Sequence, residues 1–439
     1  MIPQSTWTRL SDSQQRTAMS LERVESGEPP RYLLLLPPAP SPATASQLKT
    51  AFGETISDVL KEVAAHSSET SKASVLEIAL ACPHLVDTHA KPRSSLYDQT
   101  QTIVAGLYKL ITVIATQENI NIEDSDGVDV RVILVAWSAA ESPQESSKSP
   151  YGPIIDIGTL ARSGRQWQFA FGAESESGES MFKAFAEAKA STNEIGQVQS
   201  ISARSDSGTS APGTAPTPEG TGTMAKQTSP QAPAHDQHYD VAVGGTWDHL
   251  HVGHKLLITM TIFAVDDANE AQEGSATIGI TGDQLLVKKK HANLVESWTD
   301  RQKAVATFFN AILDFSQPAS SGQRHVSIRD DPEPNGKSLD IHYPHGLVVK
   351  CTEIQDPFGP TITEEQISAL VISAETRLGG KAVNDKRREL GWKELDVFEV
   401  DVLDAGEEGQ GAGVKDGFDT KISSTAIREK LAHKSGVKM

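Results

Sequence analysis

The sequence predicts an α/β protein with two folded units, the second built on a doubly wound parallel sheet. Two observations carry that reading. Short apolar runs alternate with segments of helical periodicity in both parts of the chain. Between those parts, residues 191–238 hold 30 Ser, Thr, Pro, Gly or Ala and no Leu, Phe, Trp or Tyr. Such a stretch cannot bury enough apolar surface to offset the entropy of ordering, so it reads as a flexible linker. The expected layout is an N-terminal tail over 1–29, a smaller α/β or α+β unit over 30–190, the linker over 191–238 and a larger unit over 239–439. The unit from Tyr239 is expected to fold by itself.

In the first unit, the apolar run 32–36 predicts a strand and 46–65 a helix. A strand at 75–81, a helix near 96–116 and a strand at 128–137 follow. Runs at 154–157 and 167–171 read as further strands, with a helix at 180–190. No site motif stands out there. In the second unit, 239–243 is a strand, Gly244 and Gly245 turn the chain, and a helix follows near 253–265. After a strand at 277–281, a helix over 299–313 opens on Thr299 and Gln302, read as a capping box. Strands at 347–354 and 369–373, a helix at 380–390 closed by Gly391, and a strand at 395–403 complete the alternation. A Gly-rich segment, 405–417, reads as a loop. The last helix runs from about Ser424 to His433. Residues 316–345, rich in Pro, Gly, Asp and Ser, read as an insertion near the site. A sheet wound in this way takes ligands at the carboxyl ends of its strands.

The formal charge of −18 argues against a nucleic-acid or anionic-membrane partner. It is evenly spread, since 18 basic and 27 acidic residues before position 239, and 22 and 31 after it, leave each part at −9. Two cysteines, Cys82 and Cys351, rule out a disulfide framework or a Cys-based zinc site and suit a reducing compartment. No apolar run reaches the eighteen or so residues of a membrane span. The expected location is cytoplasmic, with nuclear presence left open. Asp12, Glu22 and Glu25 disfavour a mitochondrial presequence.

The chemistry gathers in the second unit. A glycine pair, Gly244 and Gly245, follows a buried strand and lets phosphate approach the backbone; Thr246, Trp247 and Asp248 come next. His251 and His254 sit a turn or less apart at the following helix start, where free amides favour an anion. The same pattern would also serve a turn with surface histidines. Lys288, Lys289 and Lys290 follow the second strand, as a solvated patch or as cations gathered for polyphosphate. Arg377, Asn384 and Arg388 fall at helical spacing on one face, for a ligand or simply for solvent. Ser423, Ser424 and Thr425 precede Arg428 at the last helix start, either as a plain cap or as an anion cradle.

Read together, Gly-Gly-Thr-x-Asp-x-Leu-His-x-Gly-His at 244–254 and Ile-Ser-Ser-Thr-x-x-Arg at 422–428 resemble the signatures of the nucleotidylyltransferase superfamily, whose domain is Rossmann-like. With Asp356-Pro357-Phe358-Gly359-Pro360-Thr361 and the 371–388 segment, residues 239–434 resemble the phosphopantetheine adenylyltransferases of the eukaryotic and archaeal branch. The single-enzyme layout behind a low-complexity linker is similar to fungal members. A fused kinase is not expected, because Asp331 stands where the first glycine of a phosphate-binding loop ending Gly336-Lys337-Ser338 would be. Trp247 replaces the usual Phe.

The resemblance implies transfer of AMP from ATP to 4′-phosphopantetheine, giving dephospho-CoA and pyrophosphate, with Mg²⁺ carried on the nucleotide. It implies that His251 and His254 stabilise the reacting α-phosphate and that Lys288, or else Lys289 or Lys290, bridges the phosphates. Thr246 would hold the acceptor phosphate. Gly244, Gly245, Asp248, Arg377, Asn384, Arg388, Ser423, Ser424, Thr425 and Arg428 would bind substrate. Association with other CoA-pathway enzymes, oligomeric state and regulation by CoA stay open. The alternatives are a cytidylyltransferase, which usually ends Arg-Thr-x-Gly-Ile-Ser-Thr-Thr, a nicotinamide-mononucleotide adenylyltransferase, which usually opens Gly-x-Phe-x-Pro, and a non-catalytic adaptor that keeps the fold.

Overall fold

The computed structural model describes residues 18–20, 29–70, 73–86, 91–123, 127–139, 149–190, 236–267, 273–317, 324–331, 333–401 and 423–434. Nearly all of the expected linker, and the whole 405–417 loop, lie outside these residues. The first unit runs β1 (Ala18–Ser20), β2 (Arg31–Leu36), α1 (Ala45–Thr70), β3 (Ser74–Ala81), α2 (Tyr97–Gln117), β4 (Val128–Ala136), β5 (Ile154–Asp156), α3 (Ile157–Arg162), β6 (Phe169–Gly172) and α4 (Glu176–Ala190). Its sheet has the order β1-β6-β2-β3-β4-β5, parallel except where β1 meets β6. Leu33, Leu34, Leu35 and Leu36 are all buried, as a strand covered by helices on both faces requires. The run 154–157 is a strand only to Asp156, whose carboxylate accepts the Thr159 amide at 2.8 Å and turns Ile157 into the first residue of α3.

The second unit contains β7 (Asp240–Gly245), α5 (Val252–Ala264), β8 (Gly274–Thr281), α6 (Trp298–Leu313), β9 (His325–Asp330), β10 (Lys337–His342), β11 (Leu347–Ile354), β12 (Ala369–Ser373), α7 (Arg377–Glu389), β13 (Asp396–Val400) and α8 (Ser424–Lys434). The sheet order is β13-β12-β7-β8-β11-β10-β9. The first five strands are parallel, and β10 and β9 add antiparallel at the edge. The segment expected as an insertion therefore extends the sheet. Asn335 in its turn reaches back to Asp356 and to the amide of Gln355.

The expected capping box at Thr299 and Gln302 is not the one that forms. Ser297 caps α6 by accepting the Asp300 amide at 3.2 Å, so the helix starts at Trp298, whose indole is buried and donates to the carbonyl of Ile280. An indole that must be buried draws the helix start toward itself.

From β7 the chain passes through α5 to β8 on one side, while β12 lies on the other side of β7. The carboxyl ends of β7 and β12 thus flank a switch point, where a doubly wound sheet opens a crevice.

The two units share a core. Tyr97 of α2 packs on Phe398 of β13 with ring centroids 4.6 Å apart, and on Phe263 of α5 at 6.4 Å. The Gly152 amide donates to the Leu313 carbonyl at 2.7 Å, and the Phe315 amide to that of Pro150 at 2.9 Å. Arg165 donates to the carbonyl of Asp314, and the Arg93 amide to the Asp266 carboxylate at 2.8 Å. Tyr151 stacks on His345, and Phe315 joins the buried cluster under α3 and α4. This seam changes what is expected of the second unit alone. A fragment spanning 236–439 would bare these apolar surfaces, and losing ~3 kcal/mol of burial lowers Tm by roughly 6–12 °C. Calorimetry on the fragment and the full chain, with equal midpoints, would disprove this dependence.

Candidate active site

The segment after β7 folds tightly. Trp247 and His249 adopt left-handed backbone conformations, with φ of 59° and 48°, an unfavourable state for residues with a Cβ. Three interactions hold them. The Trp247 ring is fully buried and donates to the Gly279 carbonyl at 2.8 Å. It lies over Gly245, where a Cβ would come within 2.9 Å of the indole, so only glycine fits there. The His249 amide donates to Glu296 at 2.7 Å, and its ring nitrogen meets the Leu294 carbonyl at 3.0 Å.

Within this turn His251 and His254 stack face to face, with centroids 3.9 Å apart and planes within 18°. The Nδ1 atom of each is buried and has no partner. Burial, helped by the Lys255 ammonium, pushes the His251 imidazole down to about 3, and burial beside His251 holds His254 well below the ordinary range. Both rings are therefore neutral at pH 7. Opposite them, Lys289 donates to the Thr246 hydroxyl at 2.8 Å. Its ammonium is held below its usual range by partial burial and by Arg428. All three lysines of this loop are exposed; Lys289 is the one that meets Thr246, while Lys290 pairs with Glu429.

Asp248 and Arg428, both expected to touch substrate, pair with each other inside the protein. Asp248 is fully buried and accepts the Glu296 amide at 2.8 Å and the Arg428 guanidinium. Arg428, equally buried, also donates to the Lys290 carbonyl at 3.1 Å and the Thr425 hydroxyl at 3.1 Å. They register the turn, the lysine loop and α8. Ser423 is the cap of α8 and accepts the Ala426 amide at 3.2 Å; Ser424 and Thr425 are half-buried in its first turn.

A cavity of about 460 Å³ opens at the carboxyl ends of β7, β8, β11 and β12. Gly244, Gly245 and Thr246 form one wall, Asp356, Pro357 and Phe358 another, and Thr376, Gly379 and Gly380 of the α7 start a third. Thr246 belongs both to this cavity and to the Lys289 contact, so the histidine–lysine cluster and the cavity are neighbours. Arg377 stands at the start of α7 with its guanidinium on Glu399 at 2.5 Å. Asn384 clasps the backbone of Leu395, and Arg388 pairs with Asp385 and Glu394 on the exposed surface. Neither lines the cavity. The inward face of α7 is instead Gly380, Val383 and Arg387.

Sequence reasoning missed three supports. Arg387 is buried and donates to the carbonyls of Thr361, Glu365, Ile367 and Lys393, fixing the cavity wall. Arg301 is buried and donates to the Thr246 carbonyl at 2.6 Å and to Asp283. Glu296 braces His249. The signal was a lone arginine falling in phase with the buried positions of its helix, with Val305 and Phe308 for Arg301 and with Gly380 and Val383 for Arg387.

A family profile described as a domain of unknown function (DUF8446) matches residues 19–210. An uncharacterized protein of Schizosaccharomyces pombe is 35% identical over 192 residues, 44% of this chain and 48% of its own. The phosphopantetheine adenylyltransferase of Saccharomyces cerevisiae is 32% identical over 190 residues, 43% of this chain and 48% of its own. That of Methanothermobacter thermautotrophicus is 29% identical over 188 residues, 43% and 82% of the two chains. The chain spans about half the length of the two fungal relatives it matches. A crystal structure of an Archaeoglobus fulgidus protein with unknown function is 23% identical, covers 37% of this chain and 98% of its own, and aligns with a TM-score of 0.23. The chain is thus a distant relative of proteins named phosphopantetheine adenylyltransferase. Among the described residues no helix is long and apolar enough to cross a membrane.

The neutral histidines have a consequence for stability. His251 titrates near 6.5 when unfolded and near 3 when folded, so the unfolded chain binds the extra proton between those values. Stability is whole above pH 6.5 and falls with pH below it, by up to about 1.4 kcal/mol per pH unit for this group. His251→Asn should flatten that acid limb, read as a smaller drop in the urea midpoint from pH 6.5 to 4.5. A limb as steep as that of the wild type would mean that the ring is not buried neutral.

Proposed function

We propose that the chain is a phosphopantetheine adenylyltransferase, which transfers AMP from Mg-ATP to 4′-phosphopantetheine and releases pyrophosphate. The observation that carries this reading is the stacked, neutral His251–His254 pair beside the Thr246–Lys289 contact, at the switch point of a parallel sheet. The distant relatives of that name and the Ile-Ser-Ser-Thr-x-x-Arg string at the α8 start support it.

In this reading an acceptor phosphate oxygen attacks the α-phosphorus. One phosphorus–oxygen bond forms there, and the bond to the β-phosphate breaks in line. Lys289 and Thr246 hold the phosphates, and the imidazoles donate to the α-phosphate as charge spreads over its oxygens. No covalent enzyme intermediate is needed; positioning and charge stabilisation suffice. Ser424 and the free amides of the α8 start take the leaving polyphosphate. The cavity between Gly244 and Gly379 takes the organic part of one substrate. In this reading Mg²⁺ arrives as part of the nucleotide substrate. Association with other enzymes of the same route belongs to this proposal.

The direct test is product identification after incubation with Mg-ATP and a panel of phosphorylated acceptors. Dephospho-CoA and pyrophosphate are expected. Turnover with only nicotinamide mononucleotide, or with CTP and a phospho-alcohol, would replace the reading with one of its rivals, and no turnover at all would favour an adaptor. His254→Ala should lower kcat about 10²–10³-fold with ATP affinity little changed, since it removes a donor that acts on developing charge. The lysines give a sharper test of the geometry. Lys289→Ala should lose most activity, whereas Lys288→Ala stays within about two-fold of wild type, because only Lys289 reaches Thr246. The reverse order in steady-state assays would contradict the site as described.

A further inference from the structure

We propose that the first unit is a positioning part of this site, through Asp129 and the Val130 carbonyl, which anchor Lys255 and with it the helix start that carries both histidines. The inference rests on the function proposed above and goes beyond it. Lys255 directly follows His254 in the signature, where a cation would be read as a phosphate ligand. Its side chain is instead buried and points into the other unit. The ammonium donates to Asp129 Oδ1 at 2.5 Å and to the Val130 carbonyl at 3.0 Å, both on β4. Asp129 in turn accepts Arg131 at 2.6 Å, so the carboxylate lies between two cations.

Two features pass this anchor to the histidines. The Lys255 amide donates to the His251 carbonyl at 3.0 Å, which closes the first turn of α5. His251 occupies the cap position of that helix, and its side chain makes no capping bond. A helix start without its own cap is free to fray, and here its place is set from outside. Moving it away from β4 would strand an ammonium in the core, which is strongly unfavourable. Packing of α2 against α5, with Tyr97 on Phe263, holds the same contact from the side.

The test is Lys255→Met in the full chain. Asp129 keeps Arg131, so no carboxylate is orphaned and the variant is expected to fold, as judged by circular dichroism. Two readings follow. Hydrogen exchange, followed by mass spectrometry, should speed up over 252–258. The kcat for adenylyl transfer should fall roughly 10–100-fold while KM for Mg-ATP stays within about three-fold, as small misplacement of catalytic groups does. Unchanged exchange overturns the anchoring whatever the activity. Faster exchange with unchanged kcat, or a raised KM alone, overturns its bearing on the chemistry. Should Lys255→Met not fold, Asp129→Asn keeps an acceptor in place and is read in the same two ways. A wild-type chain that transfers nothing to any acceptor defeats the proposed function instead, and the exchange reading still decides the anchor.

Discussion

The buried ion pair between Asp248 and Arg428 is the constraint on which the site depends. Both side chains are withdrawn from water, and a lone charge there would cost several kcal/mol. The pair is tolerated because its other hydrogen-bonding positions are filled by the Glu296 amide, the Lys290 carbonyl and the Thr425 hydroxyl. The pair and its partners together span three segments distant in sequence: the turn at Asp248, the loop 290–296 and the start of α8. One interaction thus fixes the turn after β7 against the lysine loop and the α8 start. Replacing the pair by apolar groups could match its stability, but would not define which segments meet.

The strained turn depends on the same framework. Trp247 and His249 hold left-handed conformations because the indole, the Glu296 carboxylate and the Leu294 carbonyl over-determine them. Arg301 adds a guanidinium on the Thr246 carbonyl. The backbone is bent so that Thr246 faces Lys289 while His251 and His254 stack a few residues on. A phenylalanine at position 247 would leave part of the buried indole's space empty and could not donate to the Gly279 carbonyl.

Much of this was legible in the sequence, for identifiable reasons. Strands such as 32–36 and 369–373 announce themselves because a parallel strand buried on both faces must be continuously apolar. The helix stop at Gly391 follows from its positive φ of 77°. The edge strands β9 and β10 were not legible, since half-exposed antiparallel strands tolerate Ser, Asp and Lys and look like loop. The Thr299–Gln302 cap failed because a local motif competes with the burial of Trp298, and burial wins. The role of Lys255 was hidden for a different reason: its partner Asp129 lies 126 residues away, in the other unit.

The buried charges around the site share one physical constraint. A charge that is always buried must always be paired, so Asp248, Lys255, Arg301, Arg387 and Arg428 all have protein partners. Groups meant to meet an incoming anion have to be stable while the site is empty. A side chain can meet that demand by staying partly in water, as Lys289 does, or by being neutral, as the two imidazoles are. Sequence motifs record both classes with the same letters, because the frame and the contacts it holds are equally needed. Charge and burial together separate them, and under the proposed function the residues that face chemistry are Thr246, His251, His254, Lys289 and the α8 start, with the buried charges as the frame that aims them.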